Sequence, residues 1–154
     1  MHLIVRVSAF FLFSMAAFSC SPQAAVTPQD AFYNLKKAFE KSDAVALERQ
    51  LSQGSIVKIR RITALFSQMD NRQIKSLSLL YGIPGEKFKK LTVREYLSLR
   101  LAFERDRNVI GEVTSNRIVG INRDGNRATV RVGNGMELAF IKEGPYWKFD
   151  MTEL

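Results

Sequence analysis

At 154 residues, with one cysteine, one histidine and a formal net charge of +8, the chain has room for a short leader and one domain. The histidine is His2 and the cysteine is Cys20. A chain trimmed to begin at Cys20 therefore excludes His-based triads, Cys–His nucleophiles, and zinc or copper sites built from His and Cys, and leaves carboxylates, Tyr, Lys, Arg and Ser for any chemistry.

Met1 to Ser19 reads as an export signal. Arg6 supplies the positive charge, and Val7 to Phe18 is an apolar run of 12 residues, the length of a signal-peptide core and short for a membrane span. Its end, Ala16-Ala17-Phe18-Ser19-Cys20, is followed by the polar Ser21-Pro22-Gln23. This junction resembles the bacterial lipobox, although Ala17 and Phe18 stand where that pattern has Leu and a small residue. The resemblance implies acylation of the Cys20 thiol, cleavage before it and an outer-membrane anchor, since the following residue is not Asp. The same Ala17-Phe18-Ser19 also fits a plain secretory cleavage site, which would leave a free periplasmic or secreted protein. Residues 20–26 then form a lipidated tether and 27–154 one domain. Loss of Arg6 leaves 22 basic against 15 acidic residues. Such a surface suits anionic partners, but basic residues stand along the whole chain and read as a solubility charge.

Helices come first. Thr27-Pro28-Gln29-Asp30 is a start signal, with Thr as N-cap, Pro at the first helical position and an acid at the third. Ala31, Phe32, Leu35, Ala38 and Phe39 share the face behind it. Ser42-Asp43 opens a shorter helix bearing Val45, Leu47 and Leu51 and closed near Gly54. Ile56, Ile59, Ile62, Thr63, Phe66 and Met69 form another stripe, with Arg60, Arg61 and Gln68 outward. Asp70 caps a helix whose apolar face is Ile74, Leu77, Leu80 and Tyr81, stopped by Gly82-Ile83-Pro84-Gly85. A basic loop with Lys87, Lys89 and Lys90 follows, then the capping box Thr92-Val93-Arg94-Glu95 of a helix to about Glu104.

Strands follow. The β-branched run 109–121 is expected as the first, and Asn122 to Asn126 turns it into alternating Ala128, Val130 and Val132. Gly133-Asn134-Gly135 and Gly144-Pro145 turn the chain into two more, the last carrying Trp147 and Phe149 as core residues. The fold class is α+β: N-terminal helices packed on a curved antiparallel β-meander of about four strands, a cone-like roll. This order, with the ending "NRATVRV…GMELAFIKEGPYWKFD", resembles the nuclear-transport-factor-two-like superfamily, closest to its small lumazine-binding-like bacterial lipoproteins. The resemblance implies a cone with a cavity, capped or filled here by the extra helix of residues 55–90.

Tyr96, Arg100 and Glu104 are candidate cavity residues. Arg100 falls among Val93, Tyr96, Leu97 and Phe103 on the helical wheel, and Glu104 lies one turn on. A carboxylate in an apolar cavity can act as a base beside Arg or Tyr, which is the chemistry of an isomerase or dehydratase. The alternative is an Arg lying along the core edge, its head outside and tied to Glu104. Lys87, Lys89 and Lys90 are candidate contacts for anionic surfaces. The expected function is a non-enzymatic, lipid-anchored envelope module that binds a partner protein or a small amphiphile. The other readings are a carboxylate-using enzyme and a basic module for anionic envelope polymers. Export sets nucleic acid aside, and no catalytic residue, metal or cofactor is expected.

Overall fold

The computed structural model describes residues 24–106 and 109–152, with side chains at all of these except 104–106, 109, 110 and 112. The export signal and Cys20 lie outside the described residues. Helix α1 (Pro28–Glu40) starts at the Thr27 capping box: the Asp30 amide donates to Thr27 Oγ1 at 3.1 Å and the Thr27 amide to Asp30 Oδ2 at 3.0 Å. Its face Ala31, Phe32, Leu35 and Ala38 is buried. Helix α2 (Ala44–Gln50) is capped by Asp43, whose carboxylate accepts from the Val45 and Ala46 amides. Gly54 does not close α2. It lies in the first turn of α3 (Gln53–Gln68), because the Ser52 hydroxyl caps that helix and restarts the chain at once. A Cβ on Gly54 would stand 3.0 Å from Thr152 Cγ2, so glycine lets the end of the chain pack close.

Helix α4 (Asn71–Tyr81) opens on an Asp70–Gln73 capping box and ends at Gly82, whose φ of 66° is left-handed. Leu80, expected on its apolar face, is 58 % exposed; Ile74 is the residue α4 buries. The expected basic loop holds a helical turn, α5 (Gly85–Phe88), drawn in by Phe88, which is completely buried. Phe88 meets Phe66 and Tyr81 edge to face, Tyr81 also meets Phe103, and Phe66 meets Tyr96. This aromatic chain fastens α3, α4 and α5 to α6 (Val93–Asp106), which starts at the expected Thr92–Glu95 box.

The run 109–121 is not one strand. Residues Val109–Ser115 form helix α7, which packs on α1 and α6 and buries Val113. Packing against two helices outweighs the β preference of its branched side chains. Strands β1 (Ile118–Asp124), β2 (Arg127–Val132), β3 (Glu137–Glu143) and β4 (Tyr146–Phe149) then form an antiparallel meander in the order β1-β2-β3-β4. Gly125, at φ 55°, and Asn126 make the two-residue turn between β1 and β2. One face of β2–β4 is buried under the helices: Ala128, Val130, Val132, Leu138, Phe140, Trp147 and Phe149. The fold is α+β, and its sheet is curved. The Arg123 guanidinium on β1 lies 5.1 Å from the Trp147 ring on β4, two strands that stand roughly 14 Å apart in a flat sheet. The free edge of β4 is closed, since Trp147 N–H donates to the Ala25 carbonyl and Ser52 N–H to the Phe149 carbonyl, both at 2.8 Å. Ala25 is itself buried, so the packing includes residues ahead of the Thr27 cap.

Candidate cavity between the helices and the sheet

Between the curved sheet and the helices lies a cavity of about 360 Å³ that opens to solvent. Phe39 and Leu47 close it on the α1–α2 side, Ile59 and Ile62 come from α3, Leu97 and Leu101 from α6, and Val113 from α7. The sheet side is Met136, Leu138 and Phe149, with Met151 just beyond β4. Ile59, Leu97 and Leu101 are almost wholly buried, so this wall is set by the core itself. The volume is at the lower end of small-molecule sites and holds on the order of a dozen water-sized groups.

Polar atoms enter this lining from α3 and α6. Tyr96 and Arg100, one helical turn apart on α6, both line the cavity and are half-buried. Glu104 follows one turn later on α6, but its side chain lies outside the described residues. Lys58 lines it from α3, its ammonium donating to the Met151 and Thr152 carbonyls at 3.0 and 3.2 Å. Among the described residues the lining includes two cations and no carboxylate. An apolar chamber with cations on two walls can hold a hydrocarbon body and meet a negatively charged head.

A polar clasp fixes the α3 wall to the end of the chain. Ser52 and Ser55 are buried, and their hydroxyls lie 2.8 Å apart. The Ser52 hydroxyl donates to Asp150 Oδ1 at 2.9 Å, and Ser55 Oγ accepts the Met151 amide at 2.7 Å. With Ser52 Oγ accepting the Ser55 amide, every polar atom of both side chains has a partner. Burial would push the Asp150 carboxyl up. Hydrogen bonds from the Ser52 hydroxyl, the Thr152 hydroxyl and amide, and Ser55 outweigh that and hold it below the ordinary aspartate value.

The other sequence candidates stand elsewhere. Lys87 and Lys90 are exposed, Lys89 reaches Asn71 Oδ1 at 3.4 Å, and none of the three lines the cavity. Lys87 lies near Glu95, whose carboxylate is held below its usual value by the Thr92 amide first, then by the Thr92 hydroxyl and, to a lesser degree, by Lys87. Sequence reasoning missed Lys58 and the Ser52–Ser55–Asp150 clasp. Lys58 had a signal, because its position one turn before Ile62 lies within the apolar arc of α3. The clasp joins residues 98 apart in sequence and had none. Among the described residues no group of three His, Cys, Asp or Glu is placed to hold a metal ion, and no helix is long and apolar enough to cross a membrane. Comparison with known protein families, curated proteins and solved structures finds no match in any of the three.

Proposed function

We propose that the chain is a non-enzymatic binding module of a bacterial envelope, tethered through an acylated Cys20, whose cavity takes a small amphiphile with an acidic head. The observation that carries the reading is the open, apolar chamber of about 360 Å³ with Arg100 and Lys58 in its walls. Apolar lining supplies the affinity, and the cations orient the head. A chamber of this kind favours a small molecule over a partner protein as occupant. The lipobox-like Ala16 to Cys20 supports the tether.

The test is displacement of a fluorescent naphthylamine probe from the full chain by dodecanoate and by dodecanol. The reading expects saturable one-to-one binding, with dodecanoate displacing better than dodecanol. Ile62→Trp, at a half-buried position of the wall, fills the chamber and weakens both ligands. Arg100→Gln weakens dodecanoate alone, by about tenfold for one hydrogen bond to a charged group. Probe binding that does not saturate, or that Ile62→Trp leaves unchanged, contradicts the cavity reading. The tether is tested by the intact mass of the protein from membrane fractions. A start at Cys20 carrying diacylglycerol and an amide-linked acyl chain supports it, and an unmodified start contradicts it.

A further inference from the structure

The net charge of the chain is concentrated rather than spread. Residues 56–90 hold eight Lys and Arg against two acids, +6 of the total +8, whereas residues 24–55 hold four of each sign. This stretch is the α3–α5 excursion, and six of its eight basic side chains are exposed. Of its two acids, Asp70 is engaged at the α4 N-terminus, accepting the Arg72 and Gln73 amides at 2.8 Å.

The same excursion carries the exposed leucines. Among the described residues, the leucines left open to solvent are Leu65, Leu79 and Leu80, at 56, 78 and 58 %. Their neighbours Phe66 and Tyr81 are turned inward into the aromatic chain, so the leucines point away from the packing that holds the helices. On α4 the spacing Arg72, Lys75, Leu79 puts two cations and a leucine on one outward stripe, and on α3 Arg61 precedes Leu65 by one turn. Charge alone serves a soluble polyanion. Leucines at these exposures cost free energy in water and are repaid where an apolar layer lies beneath an anionic one.

We propose that the α3–α5 excursion is an interfacial face that docks on an anionic lipid bilayer, its leucines entering the headgroup boundary and its Lys and Arg side chains meeting the lipid phosphates. Interfacial segments of this composition sit with their apolar side chains in the acyl boundary while the lysines keep their heads at the phosphates. The exposed leucines and the six exposed Lys and Arg side chains of this face lie outside the cavity lining, so the inference stands whether or not the cavity binds an amphiphile.

The test is vesicle co-sedimentation of the full chain carrying Cys20→Ser, so that no acyl chain contributes and every variant is compared with one parent. Phosphatidylglycerol-containing vesicles are expected to bind the parent far better than phosphatidylcholine alone, and added salt to weaken that binding. Lys87→Glu/Lys90→Glu and Leu79→Ser/Leu80→Ser, all at exposed positions, leave thermal unfolding unchanged and each lower binding by about tenfold or more. A Leu79→Trp variant shifts its emission to the blue on the anionic vesicles and not with dextran sulfate. Equal binding to neutral vesicles, an unchanged Leu79→Ser/Leu80→Ser variant, or the same emission with dextran sulfate overturns the proposal, the last two in favour of a soluble polyanion.

Discussion

Replacing Ser52 by alanine removes one oxygen that serves two helical and one tertiary contact at once. The hydroxyl caps α3 by accepting the Ser55 amide at 3.0 Å, a contact worth about 1 kcal/mol. It also donates to the Asp150 carboxylate at 2.9 Å, a bond to a charged group worth about 1.5 kcal/mol, the lower end of the range because Asp150 remains in contact with water. The Ser55 hydroxyl, deprived of Ser52, still has Asp150 Oδ1 at 3.3 Å and the Phe149 carbonyl at 3.4 Å, so no buried donor is stranded. The expected loss is therefore about 2.5 kcal/mol, or roughly 10 °C in Tm for a domain of this size. Urea unfolding followed by circular dichroism measures it, with Gln53→Ala, at the exposed next position, as the control. A loss under about 0.5 kcal/mol, the range of ordinary surface changes, would refute the reasoning that the clasp holds the end of the chain to α3.

Acid provides a second probe of the clasp. The Asp150 carboxyl titrates below its unfolded value, so its stabilisation is present above that value and fades as pH falls through the folded one. Asp150→Asn should flatten this part of the acid limb below about pH 4 in pH-resolved thermal melts, and an unaltered limb would count against it. Phe32→Ala, at a fully buried ring, should cost about 3–5 kcal/mol by denaturant titration, far more than Tyr33→Ala at a ring 49 % exposed. The Arg131–Glu137 pair is close at 2.7 Å, but both side chains are more than half exposed, so a double-mutant cycle should return at most about 1 kcal/mol.

The helix starts were legible because capping is local chemistry. Thr27, Asp43, Asp70 and Thr92 each sit within three residues of the amide they satisfy, and all four stand where a sequence reader places them. The strands β2 to β4 were legible for the same reason, through alternation and the glycine turns between them. What failed depended on distant partners. Val109–Ser115 became α7 because α1 and α6 offer Val113 a place to pack, and α5 formed because Phe88 finds Phe66 and Tyr81. The cavity was half legible. Tyr96 and Arg100 were placed by the wheel of α6, whereas Lys58 and Ser55 of α3 reach the same cavity through a connection between α3 and the last residues that spacing does not encode. Leu80 misled because helical periodicity marks a face as apolar without saying whether anything covers it.

The central claim is that the chamber between helices and sheet receives an amphiphile, and methyl NMR tests it most directly. The full chain, labelled at Ile, Leu and Met methyls, is titrated with dodecanoate below its micellar concentration. The account predicts saturable shifts at Ile59, Ile62, Leu97, Leu101 and Met136, with Leu79 and Leu80 unmoved. Shifts confined to the exposed leucines, or none at any concentration, would contradict it.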